Sequence, residues 1–296
     1  MYSPDNTLKD NKTFVIGLSV EELTLITSAL GLPSFLGFLP PEPLSSTAAM
    51  TGERSLRARE LMTRDADDKY TIDTSLARLL SVCAVPTHVL GLFPFMGSTG
   101  VFRKTYDDRL IPQIHLVCMR DGDAVYHNRS QPGMHTFMSL TSPKVIKMIA
   151  KTAFQIEDAE AMPDGPVEWF SIDRERLREY RRQPDKNAAV AAMTETDGLP
   201  ESLAMALLIP QVHVAGMLAR SDWQGESYAY TDDTLIDSQF YYLHPALEGG
   251  FWVRYPADDA HTDTLHYYPH SGQQIIDRLI EDLHTIMNLT EGEADV

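Results

Sequence analysis

The sequence predicts an α+β fold made of two related halves around a broad shared sheet, and three observations predict it. First, the chain carries the same order of parts twice. Ser75-Leu76-Ala77 opens a helical pattern that His88-Val89-Leu90-Gly91 follows, and Ser202-Leu203-Ala204 opens another that His213-Val214-Ala215-Gly216 follows. Second, each copy continues through a long connection to a further strand pattern, Gln113-Ile114-His115-Leu116-Val117 or Gln239-Phe240-Tyr241-Tyr242-Leu243. A Gly-containing hairpin turn follows in both, Arg120-Asp121-Gly122-Asp123 or Glu248-Gly249-Gly250, and a hairpin makes its strands antiparallel. Third, each copy closes on an amphipathic helix that starts at a serine, Ser142 or Ser271. A period well above that of solenoid repeats points to an internal duplication with pseudo-two-fold symmetry.

The elements follow in order. Residues 1–13 are polar and expected to fray. Phe14-Val15-Ile16 is a short apolar run, and Ser19 with Glu22 forms an S-x-x-E capping box at the start of a helix. Leu18 and Leu23 hold the staple positions, Leu23, Ile26, Ala29 and Leu30 share one face, and Gly31 and Pro33 end the helix. Residues 33–46 are Pro-rich and irregular, with a helix expected over 53–62. The returning strands are 124–128 and 251–255, fourth strands are expected at 134–141 and 262–269, and the closing helices at 142–154 and 271–287. The second half opens like the first: Val167-Glu168-Trp169-Phe170 is strand-like and Ser171 precedes a charged helix over 172–182. Residues 157–165 read as the linker, so the chain is one domain of two halves, 14–156 and 166–289, with an acidic tail after 290. The strands over 111–119 and 240–243 are apolar or aromatic on both faces, which places them centrally.

A chain of 296 residues with 43% hydrophobic and 23% charged residues is an ordinary globular composition. Its net charge of −17 argues against nucleic acid, which is bound through Lys and Arg on phosphates, and against an anionic membrane surface. No apolar stretch is long enough for a transmembrane helix and no basic-then-apolar leader begins the chain. A cytoplasmic, reduced protein is expected, with Cys83 and Cys118 as small core residues.

No chemistry-bearing motif emerges. Neither G-x-x-x-x-G-K-[ST] nor G-x-G-x-x-G occurs. Gly97-Ser98-Thr99-Gly100 lacks the lysine and following helix of a phosphate loop, and Asp65-Ala66-Asp67-Asp68 lacks the glycine and terminal glutamate of a calcium loop. His261 and His266 fall on opposite faces of a strand-like stretch, which argues against a metal site with His270. His88 and His213 recur through the repeat, as a packing position would. No metal, cofactor or catalytic group is expected.

The aromatic residues carry more information. Trp223, Tyr228, Tyr230, Phe240, Tyr241, Tyr242, Phe251, Trp252, Tyr255, Tyr267 and Tyr268 crowd the last third of the chain. Aromatics with arginine favour protein interfaces, although a sheet–helix core also uses them. The long connection 95–110 adds Phe95, Val101, Phe102, Arg103 and Tyr106, and its counterpart near 222–237 is rich in tyrosine.

With its capped helix ending in Leu30-Gly31-Leu32-Pro33, the Leu61-rich helix before an acidic loop, the Arg120-Asp121-Gly122-Asp123 hairpin and the two-copy order, the chain resembles the EspG family of type VII (ESX) secretion over about residues 14–289. The resemblance implies a central, largely antiparallel sheet with two flanking helical bundles. It implies a non-enzymatic cytosolic chaperone that binds the helical tip of a PE–PPE heterodimer. The strong acidity and the aromatic second half depart from the family. The expected contact residues are Phe95, Val101, Phe102, Arg103 and Tyr106 in the first connection and Trp223, Tyr228 and Tyr230 in the second, with Trp252 and Arg254 on a strand. The alternatives are an enzyme with a site between the halves, or a protein that self-associates through its aromatic region.

Overall fold

The computed structural model describes residues 14–32, 38, 44–67, 69–97, 114–131, 133–140, 144–165, 168–209, 211–219, 239–255 and 262–292. Strand β1 (Val15–Ser19) runs directly into helix α1 (Val20–Leu30), and the capping box joins them: Glu22 N–H donates to Ser19 Oγ at 3.2 Å and Ser19 N–H donates to Glu22 Oε2 at 2.8 Å. Such a cap contributes on the order of 1 kcal/mol. The next helix, α2 (Ser46–Ala58), starts earlier than the pattern over 53–62 suggested, because Ser45 caps it, and Met62 belongs to β2 (Met62–Arg64). The acidic loop is the turn between β2 and β3 (Tyr70–Ile72), closed by Asp65 accepting from the amides of Asp67 and Lys69. Asp73 then caps α3 (Thr74–Ala84).

The first half continues through β4 (His88–Gly97), β5 (Ile114–Arg120), β6 (Asp123–Gln131), β7 (Met134–Ser139) and α4 (Lys144–Phe154). The second half comprises β8 (Phe170–Asp173), α5 (Arg174–Arg182), α6 (Lys186–Asp197), α7 (Glu201–Leu208), β9 (Gln211–Ala219), β10 (Gln239–Pro245), β11 (Phe251–Arg254), β12 (Thr264–His270) and α8 (Gly272–Gly292). Two details differ from the sequence reading. Helix α5 is capped by Asp173 and not by Ser171, which lies in β8. Helix α6, rich in alanine and without a strong apolar stripe, had not been expected.

Ten described strands make one sheet in the order β1-β7-β6-β5-β4-β9-β10-β11-β12-β8, and its pairs are antiparallel. Reading outward from the centre, the first half runs β4, β5, β6, β7, β1 and the second β9, β10, β11, β12, β8, so both halves use the same order of parts. The halves meet where β4 pairs with β9. Gly91 stands opposite Gly216, its own counterpart in the sequence pattern. The neighbouring register moves one expected correspondence by two residues: Leu92 faces His115 as Met217 faces Gln239, so Gln239 matches His115 and not Gln113.

Both faces of the sheet are covered. On one, α1–α3 pack over Val89, Phe93, Leu116, Cys118 and Val214, and α5–α7 pack over Trp252, Leu265 and Tyr267. On the other, α4 and α8 lie together across both halves, over Leu90, Leu92, Val117, Ala215, Leu243 and Val253. Central strands covered twice lose the polar–apolar alternation, as the sequence showed. Cys83 and Cys118 are buried and reduced, and burial, with the Cys118 thiol beside it, pushes the Cys83 thiol well up.

The central glycine pair explains a tight spot. A Cβ on Gly91 would stand 2.7 Å from Phe93 Cζ and closer still to Cε2, while Phe93 itself is buried. Gly91→Ala is therefore expected to destabilise the fold by about 1–3 kcal/mol through overpacking. Urea denaturation should show this, and the loss should be less than additive with Phe93→Ala, which removes the clash.

Buried histidines add a pH dependence. His115, His135 and His213 are each pulled down to about 4 by burial, with Arg129 adding to the effect at His135. His115 Nδ1 lies 2.6 Å from the Tyr126 hydroxyl, and His135 Nδ1 lies 3.0 Å from His127 Nε2. In the unfolded chain these groups titrate near 6.5, so between about 4 and 6.5 the unfolded state binds more protons. Stability is full above that window and falls as the pH drops through it, by on the order of 3 kcal/mol per histidine at most. The urea midpoint should decrease from pH 7 to pH 5, and less so in His213→Phe.

Candidate partner-binding surface

The long connections expected to carry a contact surface leave the central pair of strands. In β4, a bulge between Phe93 and Met96 shifts the pairing before the strand ends at Gly97 opposite Gln211. Phe95 lies in that bulged stretch by its backbone. Val101, Phe102, Arg103 and Tyr106, and Trp223, Tyr228 and Tyr230, lie outside the described residues. The roots of the two connections are nonetheless defined. Because β4 and β9 are antiparallel, the first connection departs where β9 begins and the second departs from Ala219, opposite His88. Nine residue steps of strand, about 30 Å, separate those ends. The strands therefore do not gather the two connections at one end of the sheet.

Trp252 is not available as a contact. It is completely buried under α5–α7 and meets Phe170 edge to face, with ring centroids 5.8 Å apart. The strand reading could not show this, since Phe251 and Val253 on the opposite face are equally buried, under α8. Much of the aromatic crowding has the same explanation: Tyr241, Tyr242, Phe251 and Tyr267 are core residues, whereas Tyr255 and Tyr268 stay half-exposed.

Arg254 sits at the junction between the two helical groups. Its guanidinium lies 4.3 Å from the centroid of the Tyr242 ring, on the face shared by α1–α3 and α5–α7. Arg181 lies close by; its Nε donates to the Leu207 carbonyl at 2.9 Å, and its charge is disfavoured by burial, with Arg254 opposing it further. Buried His244 is held well below its ordinary range by burial and by these two arginines, so it stays neutral. The result is a small cationic, aromatic junction in an otherwise acidic chain. Sequence reasoning found Arg254 but not Arg181, Tyr242 and His244 as its neighbours, because they come from α5 and β10.

The other face of the second half carries an aromatic row near the sheet edge. Trp169 is 57% exposed and its ring lies 5.4 Å from that of His266. Tyr255 contacts Tyr241, Tyr268 and His270 at centroid distances of 5.9, 5.7 and 6.1 Å. Among the described residues, no group of three or more His, Cys, Asp or Glu side chains converges on a point that could hold a metal, and no helix is long and apolar enough to cross a membrane.

These placements separate packing from surface. Trp252→Ala should cost about 3–5 kcal/mol by leaving a large cavity. Arg254→Ala removes no buried ring, and its cation–π contact with Tyr242 accounts for only about 0.5–2 kcal/mol, so it should cost less than Trp252→Ala. Thermal or urea unfolding of the two variants checks the ranking.

No family model matches the chain, and none of the curated proteins matches it in sequence. Among solved structures, the chain is similar to the Mycobacterium tuberculosis type VII secretion system chaperone EspG5, solved in complex with a PE25–PPE41 dimer. The similarity covers 91% of this chain and 95% of that chain, with a TM-score of 0.57 and 12% sequence identity. The similarity spans most of both chains, and the α+β architecture described above is thus an EspG-like fold.

Proposed function

We propose that this protein is a non-enzymatic chaperone of type VII secretion, which binds a helical secreted client of PE–PPE type in the cytoplasm and keeps it soluble for export. The observation that carries this reading is the fold, similar over nearly its full length to a chaperone solved with such a dimer. The sequence supports it in two ways. It has no motif for nucleotide, metal or nucleophilic chemistry. Its long connections carry apolar and aromatic residues suited to covering the exposed apolar tip of a helical partner, at an interface of about 800 Å² per protein. The contact residues on this reading are Phe95, Val101, Phe102, Arg103, Tyr106, Trp223, Tyr228 and Tyr230, with Arg254 at the junction of the helical groups. The halves 14–156 and 166–289 are, on the same reading, copies of one ancestral unit.

Co-expression with a PE–PPE heterodimer encoded beside this protein in its host tests the proposal. The client should become soluble and remain in a complex through size-exclusion chromatography. Phe102→Asp should weaken the complex at least about tenfold if the first connection makes the contact, and Trp223→Asp should do so if the second does. A complex that survives both substitutions together sinks the residue assignment. A heterodimer that stays insoluble and unbound sinks the function.

A further inference from the structure

The sheet ends in two edge strands, β1 and β8, and they are treated differently. In β1, Ser139 N–H donates to Phe14 O at 2.9 Å, which sets the alternation of the ladder and turns the backbone groups of Gly17 and Ser19 away from β7. Side chains take up two of these groups. Arg59 Nη2 donates to Gly17 O at 2.8 Å, Ser19 N–H donates to Glu22 Oε2 at 2.8 Å, and Arg59 Nη1 lies 3.1 Å from Glu22 Oε1. An ion pair thus closes this edge, a protection that sheets need because an open edge invites another strand.

In β8 the corresponding closure is missing among the described residues. Arg174 N–H donates to Asp263 O at 2.7 Å, so 172 with 265 and 170 with 267 are the hydrogen-bonded pairs, and Ser171 directs its N–H and C=O away from β12. Ser171 is exposed, and no described side chain reaches its backbone. Counting back from the two helix caps, Ser171 stands where Gly17 stands and Arg176 stands where Glu22 stands. The Arg176 guanidinium turns instead to Asp197 at 2.9 Å. Trp169 occupies the place of Val15, and both are more than half exposed. The helix that follows, α5, holds five arginines and two glutamates in a chain of net charge −17.

We propose that the β8 edge binds an extended, acidic segment of a partner protein by strand addition. The segment's backbone pairs with Ser171, an apolar side chain rests on Trp169 and His266, and its carboxylates face Arg174 and compete with Glu175 for Arg178 and Arg182 of α5. Main-chain pairing supplies affinity in such modes and alternate side chains supply selectivity. Charge decides the class of partner. A second copy joined edge to edge would bring two arginine-rich helices together on one face of the joined sheet, whereas an acidic segment complements them. This inference does not depend on the chaperone reading, which concerns a helical client at other residues.

Panning a random peptide phage library on the full chain, followed by fluorescence anisotropy with the enriched peptides, tests it. Enriched peptides should be acidic with alternating apolar residues. Ser171→Pro should raise their Kd at least about tenfold through the lost backbone pairing, and Trp169→Ser and Arg174→Glu should each raise it severalfold. Should Ser171→Pro misfold, peptides N-methylated at alternate positions report on the unaltered chain: methylation in one phase only should abolish binding. Hydrogen exchange at Ser171, and not at Gly17, should slow in the complex. The proposal is overturned by basic enriched peptides, by no enrichment, by indifference to both Trp169→Ser and methylation phase, or by a dimer in sedimentation that Trp169→Ser dissociates.

Discussion

Everything in this molecule is arranged around the antiparallel contact of β4 with β9. Each of these strands has a neighbour from its own half on one side and a neighbour from the other half on the second. Both are covered above and below, so a break there would expose the apolar layers under α1–α3 and under α4 and α8 at once. The absence of a side chain at Gly91 leaves the space beside it to the Phe93 ring. Neither half is closed without the other: the helices α4 and α8 pack together over strands of both.

The β4–β9 pairing fixes the roots of the two long connections, at Gly97 and at Ala219. The junction between the two helical groups lies on one face of the sheet. Arg254 over Tyr242, with Arg181 nearby, gathers two guanidinium groups there, and burial together with their charges keeps His244 neutral. A protein of this net charge repels anionic surfaces at long range, so its few basic surfaces mark where acidic partners can approach.

The two edges show how related halves diverge. The first half contains α2, whose C-terminal end supplies Arg59 to Gly17 and Glu22. In the second half, the charged residues of α5 are engaged with Asp197 and with Glu175 instead. A sheet that is symmetric in its strand order is therefore asymmetric in what its ends expose.

Much of the fold was legible in the residues themselves. The Ser19–Glu22 cap, the turns at Gly122 and Gly249-Gly250, and the order of strands in each half are local features, set by hydrogen bonds and allowed backbone angles within a few residues. The cap of α5 lies two positions beyond the one the sequence favours, because Ser171 and Asp173 are both good capping residues and only the pairing of β8 with β12 selects the second. Helix α6 is not legible in the sequence because an alanine-rich segment carries little amphipathic pattern. What the tertiary structure alone decided is burial. Trp252 and Trp169 look alike in sequence, each in an aromatic, strand-like stretch. One is sealed beneath α5–α7 and the other stands at an open edge, because coverage comes from helices and strands distant in the chain, and no local pattern encodes which of them arrives.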